Sequence, residues 1–296
     1  MVTALAAVNA PHENEYSPFF KAVLAQLTPE YVGCDVLITS HMHTSTQFAK
    51  ALLSGYSQFR QVATENGLSH DFSINFILVT KDQRYERAFK VCGEPVSVDV
   101  EWTEVALPSN EQESVQAAQE RVKRSRDPES DELGCRSVNC VAVGGTFDHL
   151  HDGHKILLLL TAFCAQRRII VGVTGEQLLK LKKFKEYLED FSVRVDNVSA
   201  FLQKVLVPGQ RFEIYQMNDV CGPTGYIEDI DALAISEETR LGAAFVNARR
   251  TEQNFRQLKV VCAHIVGGDG NELTNWQSKL SSTDLREREA KARRLS

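Results

Sequence analysis

Apolar positions along the chain fall into two series of alternating strands and helices, separated by a polar stretch. In the first series, Tyr16 to Leu27 predicts a helix, with Ser17-Pro18 as a cap and first-turn pair at its start. Asp35 to Thr39 reads as a short buried strand. Phe48, Leu52, Tyr56, Phe59 and Val62 then recur at helical spacing, and Gly67 is placed to end that helix. Ile74 to Thr80 predicts another strand, and Val96 to Trp102 alternates apolar and polar residues like a half-exposed one. The second series is stronger. Strands are expected over Asn139 to Val143, Arg168 to Val173, Phe212 to Met217, Ala232 to Ser236 and Leu258 to Val266, with helices over Gly153 to Gln166 and Val193 to Val205. Such alternation predicts an α/β fold: a Rossmann-like C-terminal domain with a parallel sheet, preceded by a smaller α/β domain. Ligands of such sheets bind beyond the carboxyl ends of the strands, which directs attention to the residues after Val143, Val173, Met217, Ile235 and Val266.

The polar stretch, Ser109 to about Arg136, holds Lys123-Arg124-Ser125-Arg126 followed by a run of acids. It has too little apolar surface to offset the entropy of ordering, although Gln112 to Val122 could form a short exposed helix. The expected layout is therefore an α/β domain over 1–108, a charged linker over 109–137 and a second domain over 138–296. With 296 residues and 43% hydrophobic composition, the chain is long enough for two cores. A net charge of -6 argues against a broad nucleic-acid surface, and no apolar run reaches membrane-spanning length. The N-terminus lacks a basic start and gives way to Pro11-His12-Glu13, a poor secretion signal. Seven scattered cysteines without a C-x-x-C read as free thiols of a reducing compartment. A cytoplasmic protein is expected, with nuclear access left open by the basic cluster.

Chemistry concentrates after the first strand of the second series, in Gly144-Gly145-Thr146-Phe147-Asp148-His149-Leu150-His151-Asp152-Gly153-His154-Lys155. Paired glycines allow close backbone approach to a ligand, and the helix that follows aims its free N–H groups at an anion, most naturally phosphate. His151 and His154 lie three apart, so both imidazoles can face one phosphate. The string is neither a Walker A loop nor a G-x-G-x-x-G fingerprint. It resembles the G-T-F-D-x-x-H-x-G-H box of the nucleotidyltransferase superfamily. That resemblance implies a triphosphate held by Gly144, Gly145, Phe147 and His151, an attacking phosphate bound by Thr146, and a transition state at the α-phosphorus stabilised by His154.

Three further stretches follow in the superfamily's order. Lys180-Leu181-Lys182-Lys183-Phe184-Lys185 offers a lysine to the bridging phosphates. Lys182 is favoured because its spacing to Arg194 resembles the family's, while Lys180, Lys183 and Lys185 stay open. Ser236-Glu237-Glu238-Thr239 closes a strand, with Asn247 and Arg250 on the next helix, and resembles the S-x-E-T…N-x-x-R pattern of phosphopantetheine adenylyltransferases of the eukaryotic and archaeal type. Ser236, Glu238, Asn247 and Arg250 are the binding residues this implies, with Gly222-Pro223-Thr224 shaping the loop beneath the acceptor. Ser281-Ser282-Thr283-Asp284-Leu285-Arg286 resembles the I-S-S-T-x-x-R box, which makes Ser282, Thr283 and Arg286 a second phosphate clamp. Leu280 replaces the usual isoleucine and Ala243 a usual glycine.

The resemblance, over about Val138 to Arg286, implies transfer of adenylyl from ATP to 4′-phosphopantetheine in coenzyme A biosynthesis, with Mg²⁺ arriving on ATP and no protein-held metal. Other enzymes of that pathway are conceivable partners. The alternatives are a transferase for cytidylyl or nicotinamide mononucleotide substrates, or a nucleotide-binding scaffold; the cytidylyl enzymes' R-T-x-G-I-S-T-T string is absent. His41 and His43 at a strand end read as surface histidines. No reaction can be read from the first 108 residues.

Overall fold

Strand order in both halves of the chain is set by the same rule: a first apolar strand takes the centre, and later strands add on either side of it. The structure is a computed structural model that describes residues 2–69, 71–81, 83–107, 131–180, 182–263 and 282–295. Gln112–Val122, the basic cluster, the last residues expected in the Leu258–Val266 strand, and Leu280-Ser281 lie outside the described residues. Two compact units result, one of Met1–Met42 with Lys50–Pro128, the other of His43–Ala49 with Glu129–Ser296.

The first unit contains β1 (Val2–Val8), α1 (Ser17–Leu24), β2 (Tyr31–Ile38), most of α2 (Ser45–Glu65), β3 (Ser73–Ile77), β4 (Ala88–Val91) and β5 (Trp102–Val105). All its strands pair in parallel, in the order β3-β2-β1-β4-β5. The apolar N-terminus is thus the central strand, with Ala4 to Val8 fully buried. No strand was expected there or over Ala88–Val91. A central parallel strand is apolar on both faces, so it shows no alternation to read. Val96 to Trp102 does alternate between exposed and half-buried residues, yet it joins no ladder until Trp102 pairs with Ala88. Between β1 and α1 the chain passes through a left-handed residue, Ala10 (φ 47°). Its amide donates to the Ser40 hydroxyl at 3.0 Å, and the Asn9 amide donates to the Tyr16 hydroxyl at 2.7 Å. The first amides of the loop are thereby satisfied, while the buried Nδ1 of His12 has no hydrogen-bond partner.

The second unit contains β6 (Val138–Gly145), α3 (Asp152–Cys164), β7 (Ala165–Thr174), α4 (Phe191–Val205), β8 (Arg211–Met217), β9 (Ala232–Ser236), α5 (Arg240–Glu252), β10 (Lys259–Ala263) and α6 (Ser282–Leu295). Its sheet is again wholly parallel, in the order β10-β9-β6-β7-β8, as the second apolar series predicts. The run Ile156 to Leu160 of α3 is buried against the sheet. The end of the stretch expected as linker is instead docked on this unit. Asp131 and Val260 exchange hydrogen bonds of 2.8 and 2.9 Å, Arg136 donates its amide to Phe163 at 2.7 Å, and Leu133 is 4% exposed. One buried leucine and these hydrogen bonds hold the segment. Among the described residues, no helix is long and apolar enough to cross a membrane.

Leu133→Ala should lower unfolding free energy by about 2 kcal/mol or more, since it empties a buried site. Urea midpoints of the two proteins measure this, and equal midpoints would show that the segment is not anchored by Leu133.

Candidate active site

Residues 146–151 must carry the chain from the end of the central strand β6 into α3. They do so through two left-handed, non-glycine residues, Phe147 (φ 51°) and His149 (φ 46°). Such backbone is costly for residues with a Cβ and persists only where surrounding contacts hold it. Those contacts are evident. Phe147 is fully buried, its ring folded back under Gly145, where a Cβ would lie 3.1 Å from the ring and crowd it. Arg194, 1% exposed, donates to the Thr146 carbonyl at 2.7 Å, the Thr174 carbonyl at 2.9 Å and the Glu189 carbonyl at 3.1 Å. The His149 amide donates to Glu189 at 2.6 Å, and the His149 ring lies 3.0 Å from the Tyr187 carbonyl.

At the mouth of α3 the two histidines of the H-x-G-H string stack, ring centroids 3.8 Å apart and planes 25° from parallel. Phe147 packs against His154 at 5.3 Å. Both Nδ1 atoms are buried and have no hydrogen-bond partner. An unpaired buried polar atom is expensive, so two together mark a place built for something else to bind. Burial pushes His151 down to about 4, against the opposite pull of Asp152 and Asp148. His154 is driven well below 6.5 by burial first and then by the neighbouring His151 and Lys182. At neutral pH both rings are uncharged, each with one N–H to donate. Helix geometry adds the amides of Asp152, Gly153 and His154, which precede the first intrahelical bond, from Lys155 to the His151 carbonyl. Neutral donors, a helix N-terminus and a lysine suit a polyanion, not a bare cation.

Among the lysines left open by sequence, Lys182 is the one whose charge registers on His154. It is exposed, while Lys183 gives its carbonyl to Arg286 at 3.1 Å. Gly144 and Gly145 end β6 and Thr146 follows, all half-buried. Ser236 ends β9 and Glu238 lies in the single helical turn that follows; the Ser236 hydroxyl lies 3.4 Å from that of Thr239, and Glu238 is exposed.

Several residues expected at the ligand also make hydrogen bonds within the protein. Asn247 makes a two-way amide bridge to the backbone of Leu258, at 3.0 and 2.8 Å. Arg250, 0% exposed, donates to the carbonyls of Arg256, Thr224, Ile227 and Glu228, all within 2.9 Å. It thus holds the Gly222–Gly225 turn in place. Arg286, 1% exposed, pairs with the buried Asp148 and also reaches Lys183 and Thr283, so each of its nitrogens has a partner. Ser282 donates to the Asp148 carbonyl at 3.0 Å. A motif names a residue type at a spacing and says nothing of which way a long side chain turns. Sequence reasoning gave Asp148, His149 and Glu189 no role; the first two sit inside the quoted string, but Glu189 carried no signal.

The family described as cytidylyltransferase-like matches residues 142–288. The phosphopantetheine adenylyltransferase of Saccharomyces cerevisiae is 34% identical over 272 residues, covering 91% of this chain and 85% of that protein. An uncharacterized protein of Schizosaccharomyces pombe is 41% identical over 166 residues, 55% of this chain and 52% of its own length. The phosphopantetheine adenylyltransferase of Pyrococcus abyssi is 35% identical over 126 residues, 43% of this chain and 78% of its own.

Unfolding returns His151 to its ordinary value of 6.5, so between pH 6.5 and about 4 the unfolded chain holds a proton that the folded chain does not. The stability this represents is present above pH 6.5 and is lost as pH falls toward 4. Replacing His151 with Gln should flatten the fall in urea stability across that window; unchanged slopes would show that His151 is not buried neutral.

Proposed function

The chain belongs to the phosphopantetheine adenylyltransferase family, and from that premise we propose that it transfers adenylyl from ATP to 4′-phosphopantetheine, giving dephospho-coenzyme A and pyrophosphate. The observation that carries this reading is the stacked, uncharged His151–His154 pair with unpartnered nitrogens at the start of α3, beside Lys182. The phosphate of 4′-phosphopantetheine attacks the α-phosphorus of ATP, one P–O bond forms, and the bond to pyrophosphate breaks. A phosphate monoester is a competent nucleophile near neutral pH, so the protein's task is alignment and charge stabilisation.

His154 donates its N–H to the α-phosphoryl oxygens as charge builds, without having to lose a proton first. His151 and the first amides of α3 hold the triphosphate, and Lys182 reaches its bridging oxygens. Thr146 orients the attacking phosphate, and the backbone of Gly144 and Gly145 helps hold the triphosphate. Ser282 and Thr283 lie on the same side, through the Ser282 bond to the Asp148 carbonyl. Mg²⁺ carried by ATP would supply further neutralisation of the triphosphate.

Pyrophosphate release should occur with ATP plus 4′-phosphopantetheine and not with CTP, phosphoethanolamine or nicotinamide mononucleotide. Turnover with another pair would reassign the substrate, and none with any pair would remove the enzymatic reading. His154→Ala should cut kcat at least about tenfold, equivalent to about 1.4 kcal/mol of transition-state stabilisation. Lys182→Ala should lower kcat while alanine at Lys180 or Lys185 leaves it within about twofold.

A further inference from the structure

α5 departs from the rule that the outer side of a surface helix is polar. Leu241 is 87% exposed, and Phe245, one turn on, is 57% exposed. Ala244 and Ala248 are exposed beside them, while Ala243, Val246 and Arg250 on the other side are buried. Single exposed apolar residues are ordinary, but a contiguous apolar stripe marks a contact surface. Gly242 stands within the same helix, where glycine is destabilising, and a Cβ there would meet no described atom within 4 Å. The ends of the stripe carry opposite charge. Glu238, in the Glu237–Thr239 turn before α5, is exposed and makes no ion pair among the described residues. Arg249, in the last turn of α5, and its partner Glu252, 2.9 Å away, are both exposed.

We propose that this face binds a second copy of the chain, the two α5 helices lying antiparallel across a two-fold axis. The argument is one of charge and register. An axis level with the Ala243–Ala244 step brings Glu238 opposite Arg249 of the second copy, and Arg249 opposite its Glu238. Leu241 and Phe245 then interleave with Phe245 and Leu241 of the other helix, and Gly242 leaves room for the approaching ring. Parallel pairing would set Glu238 against Glu238 and Arg249 against Arg249, so charge selects the antiparallel arrangement. A patch complementary to itself is what a two-fold homodimer requires. Any other partner would need the same acid and base in reverse order, which the chain already carries. Two large apolar residues per copy make a small interface, so the dimer is a weak and reversible one. The proposal goes beyond the functional reading and stands apart from it, since His151, His154 and Lys182 lie on other elements.

The test is sedimentation velocity of the full chain from about 1 to about 300 µM, where a reversible shift from monomer to dimer is expected. Phe245→Ser and Arg249→Glu should each raise the dissociation constant about tenfold or more. Both side chains are exposed, so the urea midpoints should stay close to that of the wild type. Charge exchange is the decisive arm. Glu238→Arg alone should weaken association as Arg249→Glu does, and the two together should restore the constant to within about threefold of wild type. A chain that stays monomeric over the whole range would overturn the proposal. A dimer indifferent to Phe245→Ser and Arg249→Glu would overturn it too, by placing the contact elsewhere. So would a doubly exchanged chain that associates no better than either single variant. Should a charge-reversed variant fail to fold by circular dichroism, Glu238→Gln and Arg249→Gln are read in its place. Together they should weaken association no more than either does alone, and additive losses would sink the pairing.

Discussion

Everything at the site depends on turning the chain out of β6 and into α3 within residues 146–151. That turn demands left-handed backbone at Phe147 and His149, and the strain is held by groups drawn from well beyond the loop. Gly145 vacates the space for the Phe147 ring, Arg194 gathers the carbonyls of Thr146, Thr174 and Glu189, and Asp148 takes an amide from one side and a guanidinium from the other. With so much of the surrounding structure committed to the turn, the two histidines at its end can be left with unsatisfied nitrogens. The desolvation that this costs is what keeps them uncharged and ready to donate.

The two units show how little of this the fold itself dictates. Both place five parallel strands in the same order, and in both the residue two beyond the end of the central strand is left-handed, Ala10 in one and Phe147 in the other. In the first unit the amides of Asn9 and Ala10 are taken by Tyr16 and Ser40, and Gln58 fills the carbonyls of Pro11 and Asn14. In the second, the glycines and histidines keep the corresponding region open. The same scaffold carries different side chains at the two turns, and each keeps buried imidazole nitrogens without a partner, His12 in one and the His151–His154 pair in the other.

Legibility in the sequence followed the same division. The second unit's strands and the phosphate loop were readable because the hydrophobic period, the glycines and the ten-residue string all coincide at one strand end. β1 was missed because a strand buried on both faces has no period, and β4 because four residues carry too little pattern. The histidines announced themselves by type and spacing. Asn247, Arg250 and Arg286 were legible as a pattern, but their partners were not, since these are mostly backbone carbonyls whose positions exist only after folding. The contribution of Asp148 was hidden for a related reason: its partner Arg286 is 138 positions away in sequence.

One methionine gives several glycines a common cause. The Met217 side chain, at the end of β8, lies where a Cβ on Gly172 would come within 2.4 Å of its sulfur, one on Gly222 within 2.6 Å of its Cγ, and one on Gly144 within 3.2 Å of its sulfur. These three positions, on two strands and a turn, are therefore not independent. An oxygen added to that sulfur would meet the same crowding from the other direction, so oxidation of Met217 would press at once on β6, on β7 and on the turn held by Arg250.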